Sequence, residues 1–480
     1  MPPMTKPFLL LCLLVLGAAH AAEPPTIAIV GAYVLDVARQ SGAQIQRNQT
    51  IVIEGNRIVS VGPAAKNVPP KGATVIDGKG KWVIPGLIDS HVHFSQSGNL
   101  YTRPDAADFN KRVPYLKEDA RNKARLPATF RAWLASGVTS VVDLGGPMWN
   151  FKMRDAARAS AAAPRVAVAG PLISMVDDPF ADPNDQPIIK VTTPEEARAE
   201  VARQLPRKPD YVKVWFIHRK GDDLAAQEAI VKAAGDAAHA AGVRFAVHAT
   251  ELAVAKAALR AGADYLVHSV TDQPVDDEFI DLALRNRALY SPTLFVFTSY
   301  ELALSNTWRA TEAERRLADP QILATMSDLE KIPKDQLPAR VAKWMANPPA
   351  AEVPAAAAAN LLKVSAAGIP VVMGTDAGNI GVMHGPSVFR EMEAMQKAGM
   401  APMQVLRSAT VSGAKAMGME KELGMIGPGA LADLLVLDAD PRQDLQNLSR
   451  IHRVIKDGKV FDPAELIRDN ARLDEKRSRK

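Results

Sequence analysis

His91-Val92-His93 closes the apolar run Trp82-Val83-Ile84-Pro85-Gly86-Leu87-Ile88-Asp89-Ser90. In a strand, residues two apart face the same way, so both imidazoles reach one point at the strand's carboxyl end and can hold a metal ion. Two histidines do not complete such a site, because a divalent ion takes a third protein ligand or more. Further candidates follow along the chain. Lys213 lies in Tyr211-Val212-Lys213-Val214-Trp215-Phe216, His248 ends Val243-Arg244-Phe245-Ala246-Val247, His268 ends Tyr265-Leu266-Val267, and Asp376 ends Ile369-Pro370-Val371-Val372-Met373-Gly374-Thr375. Each stands at or near the carboxyl end of a short apolar run rich in β-branched residues, the pattern of a buried parallel strand.

Imidazole and carboxylate suit zinc and related divalent ions. A lysine inside an apolar strand has a different use. Burial lowers its pKa, and the neutral amine can add carbon dioxide with loss of a proton to give a carbamate, in effect a carboxylate that joins two metals. Two metals about 4 Å apart hold a shared hydroxide, polarise a carbonyl and stabilise the oxyanion that follows attack. In the alternative, Lys213 is an ordinary charged residue and the site holds one metal.

The elements that must position these groups alternate. Apolar strands are expected over 84–90, 138–144, 165–169, 211–216, 243–248, 265–268, 289–293 and 369–375, with alanine-rich helices over 126–136, 194–205, 224–241, 252–261, 277–285 and 355–367. Eight strand-then-helix units predict an α/β fold, a (β/α)8 TIM barrel spanning 84–422, with all six candidate side chains on its active face. Shorter strand patterns lie on both sides, at 26–35, 50–54, 57–62 and 73–77 and at 432–437, 453–456 and 459–461, with Gly55-Asn56 and Asp457-Gly458 as hairpin turns. Residues 23–83 and 423–463 are therefore expected to share a small β-sandwich domain built from both chain termini. The polar stretch 295–354 leaves the seventh strand at the barrel mouth, where it serves as a lid or stands as a plain surface insertion.

Composition narrows the class. The chain is 47% hydrophobic and 23% charged, the balance of a globular protein. Residues 1–22 carry Lys6, an apolar stretch too short to span a bilayer, and Ala19-His20-Ala21, which suits cleavage of a signal peptide. Cys12, the single cysteine, lies inside that segment, so the mature chain has no thiol to pair, ligate or attack. Export to the periplasm or out of the cell follows, without a stable membrane span. The net charge of +5 is concentrated at the ends, where the tail 464–480 holds six basic and four acidic residues. A near-neutral body with only 5% aromatic residues offers no nucleic-acid surface.

Pro85-Gly86-Leu87-Ile88-Asp89-Ser90-His91-Val92-His93, Lys213, His248, His268, Gly374-Thr375-Asp376 and Gly427-Pro428-Gly429-Ala430-Leu431-Ala432-Asp433-Leu434, in this order, resemble the amidohydrolase superfamily. The resemblance spans nearly the whole mature chain and looks closest to the prolidase and imidazolonepropionase-like branch, whose Lys-bearing members are binuclear dipeptidases. It implies that His91, His93 and Asp376 hold one metal, His248 and His268 the other, and carboxylated Lys213 bridges them, with two zinc ions as the cofactor. Asp376 then takes the proton of the attacking hydroxide and passes it to the leaving amine.

The expected activity is hydrolysis of amide bonds in small substrates, dipeptides or N-acyl amino acids, by a metal-bridging hydroxide. Cyclic amides, lactones or phosphotriesters are the alternative substrates of the same centre, and a non-catalytic metal-binding barrel is the alternative of another class. His218, just past the fourth strand, and His384, in the loop after the eighth, are candidates for binding a substrate carboxylate or carbonyl. His239 and His452 read as structural. A homo-oligomer is compatible with all of this.

Overall fold

Hydrophobic runs of the kind described above bury best when both faces of a strand are covered, and parallel pairing does this through the middle of the chain. The structure, a computed structural model, describes residues 25–39, 44–177 and 182–478, with side chains to residue 470. The signal segment expected at 1–22, with Cys12, lies outside the described residues.

Leu87–Val92, Val138–Asp143 and Arg165–Val168 form a three-stranded parallel sheet. Tyr211–Trp215, Arg244–His248, Tyr265–Val267 and Leu289–Ser291 continue in the same sense within a six-stranded sheet, whose outer members are the short strands Leu172–Ser174 and Ile188–Lys190. Parallel bridges from Ala169 to Tyr211, from Tyr290 to Val371 and from Val92 to Ala377 join the two sheets into a TIM-barrel-like ring. The stretch 370–377 closes it through isolated bonds: Ser90 donates to the Met373 carbonyl, Val372 to Tyr290, and Asp376 to His91.

Helices cover the outside. Thr193 caps Pro194–Gln204, Asp223 caps Leu224–Ala240 and Asp276 caps Asp277–Asn286, each side chain accepting a first-turn N–H. Their alanine-rich inner faces lie against the strands in one core with Val212, Phe245, Val247 and Leu266.

Both termini meet in an eight-stranded sheet. Thr26–Leu35 runs antiparallel to Ile45–Glu54 and parallel to Thr74–Asp77, while Trp82–Pro85 pairs antiparallel with Leu434–Leu437. The apolar run 82–92 is thus two strands, and the expected single strand over 84–90 is corrected. Gly86 is the break: a Cβ there would fall 2.3 Å from Thr139 Oγ1, so only glycine lets the chain pass from the terminal sheet to the ring.

Two further corrections concern helices. The helix expected over 126–136 begins eleven residues earlier, at Tyr115, and the expected insertion opens directly as the helix Leu294–Leu304. A separate apolar cluster anchors that insertion, with Leu100, Tyr101 and Phe109 of the loop after Val92 packed against Leu304, Trp308 and Ile322. The tail forms a helix, Pro463–Ser478, with Leu466 packed near Leu134.

Candidate metal centre

His91 is the fifth residue of the strand Leu87–Val92, and His93 follows the strand's last residue. His91 Nε2 lies 3.2 Å from His93 Nε2, and both face Asp376 Oδ1, at 3.4 and 3.1 Å. The ligand atoms of these three buried residues lie within 4.8 Å of one another. His268 Nε2 is 3.9 Å from the other Asp376 oxygen, and its ring sits 4.5 Å from that of His248 and 5.1 Å from that of His91, centroid to centroid. Lys213 opens onto the same cavity of about 500 Å³, which all six residues line.

The surroundings fix these side chains. His93 Nδ1 bonds the Gly145 carbonyl at 2.7 Å, and His268 Nδ1 bonds Thr293 Oγ1 at 2.6 Å, so each ring aims its Nε2 inward. Asp89 accepts from the His91 and Thr375 backbones and from Thr375 Oγ1, tying the two chain segments that carry ligands. Asp143 does the same for Phe94 and Gly145. His268, Thr293 and Asp376 have φ of 73°, 44° and 60°. A left-handed backbone at non-glycine residues costs on the order of 1–3 kcal/mol each, and three such residues stand at the ring's rim, where ligands must be turned inward.

Gly374 permits this approach. A Cβ at 374 would lie 2.5 Å from Ser291 Oγ and 2.8 Å from His91 Cβ. Gly374→Ala is therefore expected to cost about 2 kcal/mol of stability through overpacking and to weaken metal retention by displacing His91. Urea unfolding and metal analysis of the purified variant check both effects.

Burial sets the protonation states. It lowers His91, His248 and His268 below the usual imidazole range, His268 to about 4, leaving the neutral form that can donate a lone pair to a metal. It pushes Lys213 down to about 7 against the opposing attraction of Asp376. Burial works the other way on Asp376, but the imidazoles of His91 and His93 outweigh it and hold the carboxyl well below the usual carboxylate range. Among the described residues, Lys213 Nζ and His91 Nδ1 are buried with no hydrogen-bond partner. A buried amine without an acceptor is costly, and that cost disappears if the nitrogen is part of a group that ligates metal. The donor set therefore fits divalent metal.

The structure does not bring His218 or His384 to this cavity. His218 is turned away by its bond to Gln227 Oε1, 2.8 Å from Nδ1. His384 is stacked on Phe94 and bonds the His93 carbonyl from behind, so it supports the ligand strand instead of facing substrate. His239 pairs with Asp264 at 2.8 Å, a structural contact. The cavity wall holds groups that the strand-end pattern gives no reason to select: Arg103, Trp215, Phe297, Tyr300, Arg340 and Asn379. All but Trp215, the last residue of the strand Tyr211–Trp215, come from loops and from the insertion, where periodicity carries no signal. Glu391 is also new, its carboxyl accepting the Leu294 and Phe295 N–H groups at 2.8 Å and so capping the helix that bears Phe297 and Tyr300.

A TIM-barrel-like ring whose strand ends converge imidazoles and a carboxylate on one cavity is the architecture of a metal-dependent hydrolase. The Amidohydrolase family sequence profile matches residues 82–461, and the chain belongs to that family. An uncharacterized protein of Mycobacterium tuberculosis (strain ATCC 25618 / H37Rv) is 27% identical over 406 residues, covering 82% of this chain and 89% of that protein. The imidazolonepropionase of Stenotrophomonas maltophilia (strain R551-3) is 35% identical over 97 residues, 20% of this chain and 23% of that protein. Among solved structures, a Xaa-Pro dipeptidase with methionine bound in its active site superposes with a TM-score of 0.68 at 25% identity, over 91% of this chain and 100% of that one. The chain is an enzyme, a metal-dependent hydrolase of carbon–nitrogen bonds. Among the described residues, no helix is long and apolar enough to cross a membrane.

Proposed function

We propose that this enzyme is an exported amidohydrolase that cleaves the amide bonds of dipeptides or N-acyl amino acids. The observation that carries the reading is the convergence of His91, His93, Lys213, His248, His268 and Asp376 on one cavity roomy enough for such a molecule. His91, His93 and Asp376 would hold one zinc ion, His248 and His268 a second, and Lys213, as its carbamate, would join them. The metals would supply a hydroxide at neutral pH and polarise the scissile carbonyl. Asp376, ionised and facing both histidine edges, would accept the nucleophile's proton and deliver it to the departing nitrogen.

The architecture we assign to this reading is an eight-stranded barrel over 84–422 with a terminal β-sandwich, the 295–354 insertion covering the mouth. Export to the periplasm or medium rests on the apolar segment and Ala19-His20-Ala21.

The test is a panel of dipeptides, N-acyl amino acids, lactones and phosphotriesters presented to chelator-treated protein before and after zinc is restored. Amide hydrolysis is expected to vanish on chelation and to return with metal. Turnover of lactones or phosphotriesters with none of amides would replace the substrate class, and turnover indifferent to chelation would remove the metal from the mechanism.

A further inference from the structure

Arg103 is a half-buried cation, its side chain 22% exposed, that the hydrolytic chemistry does not use. It sits on the loop after Leu87–Val92 and lines the same cavity as the ligand set. Asp105 grips it side-on, from Nε at 2.8 Å and Nη2 at 2.6 Å, and Nη1 donates to Asn379 Oδ1 at 2.5 Å. Asn379, 1% exposed, also accepts the Tyr300 hydroxyl at 2.5 Å and donates to the Asp376 carbonyl at 3.0 Å. The loop is locked from beneath by Leu100, Tyr101 and Phe109 in the apolar cluster of the insertion.

A guanidinium has five N–H groups, and these bonds use three. One N–H on each of Nη1 and Nη2 remains without a protein acceptor among the described residues, on a plane that three hydrogen bonds hold still. Two neighbouring free donors on a fixed fork match the two oxygens of a carboxylate. Asp105 balances the charge of Arg103, yet its oxygens are committed to the side-on edge. Arg340, stacked 4.2 Å over Trp344, and Glu301 also line the cavity, but among the described residues neither is held by an ion pair, and they offset each other in charge. The apolar remainder of the wall, Trp215, Phe297 and Trp344, accepts an uncharged side chain.

We propose that Arg103 is the specificity-determining residue of this enzyme, reading a free carboxylate on the amine-side half of the substrate, so that acylated amino acids are taken in preference to acylated amines. The inference rests on the amidohydrolase reading above. Its alternative is that Arg103 only ties its loop to Asp376 through Asn379, a positioning role.

The pair N-acetyl-L-phenylalanine and N-acetylphenethylamine separates the two, because they share the acyl group, the scissile amide and the ring and differ only in the carboxylate. Zinc-loaded wild-type enzyme is expected to prefer the acid by about a hundredfold in kcat/KM, the scale of a charged bidentate contact, chiefly through KM. Arg103→Met should bring the two substrates within about threefold of each other, and Arg103→Lys should restore less than a tenth of the lost preference. An unchanged preference in Arg103→Met, or an equal loss on both substrates, overturns the proposal in favour of positioning. Calorimetric binding of N-acetyl-L-phenylalanine to wild type and Arg103→Met, each with its zinc content measured, reads recognition without turnover. If wild type hydrolyses neither compound the N-acyl amino acid substrate class fails, while tenfold weaker binding by the variant still supports Arg103 and equal binding refutes it.

Discussion

Asp376→Asn is expected to lower kcat by about a thousandfold while KM stays within a few-fold, the range general acid–base catalysis contributes. Asparagine is the right probe because Asp376 has φ of 60°, a left-handed conformation that asparagine tolerates and alanine does not. The backbone bonds from Asp376 N–H to the His91 carbonyl and from Asn379 Nδ2 to the Asp376 carbonyl can therefore persist. What changes is the oxygen facing His91 and His93, which loses its charge and its capacity to take a proton. Steady-state kinetics on an N-acyl amino acid, with bound metal counted on the same sample, give the result. A variant that keeps its metal and more than a tenth of wild-type kcat would move the proton transfer elsewhere.

The TIM-barrel-like ring and the convergence of the candidate residues were legible for one reason: these groups stand at or near the ends of buried parallel strands. Such strands read as uninterrupted apolar runs, so a histidine or lysine in one is conspicuous. Lys213 pairs in register with Ala246 and Trp215 with His248, so neighbouring runs in the sequence bring these candidate residues side by side in space. Where burial was polar, the signal failed. The first half of the helix Tyr115–Ala135 turns Glu118, Asp119, Asn122 and Arg125 inward, and there Glu118 accepts from the Ser97 hydroxyl at 2.5 Å while Asn122 Nδ2 donates to the Phe94 carbonyl. These residues brace the loop that carries Arg103, and an inward polar face erases the apolar stripe by which helices are found. Pro127 compounded the error, since proline marks a helix start more often than an interior.

The same logic explains the histidines. His384 and His218 lie in loops at the barrel mouth, and sequence position brings a residue near a mouth without deciding where its ring points. His384 chose the aromatic pocket of Phe94 and Trp133, where the ring is shielded from solvent and burial lowers it to about 4. The wall residues that replaced them in the cavity come from three separate segments, Arg103, Phe297 with Tyr300, and Arg340 with Trp344. The two outer segments meet through the apolar cluster that joins the loop after Val92 to the insertion. That junction is tertiary, and no periodicity within either segment announces it.

Lys213→Ala is expected to remove at least one equivalent of metal and nearly all activity. Lys213 is 2% exposed, with Nζ lacking any hydrogen-bond partner among the described residues and its pKa pushed down to about 7 by burial. As an ammonium it would stand among three imidazoles with the attraction of Asp376 too weak to offset its burial, and it would repel a cation. As a carbamate it carries the opposite charge and ligates. The two states make opposite forecasts for the alanine variant. Removing a repelling ammonium would leave metal affinity equal or higher, whereas removing a bridging carboxylate would lower it. Rescue sharpens the contrast: a small carboxylic acid such as propionate can enter the space left by the lysine and supply the missing oxygens, while a small alkylamine cannot. Partial return of metal and turnover with propionate alone is the expected outcome, followed by metal analysis and kinetics across an acid titration. An alanine variant that retains both metals and full activity would show that Lys213 holds nothing together.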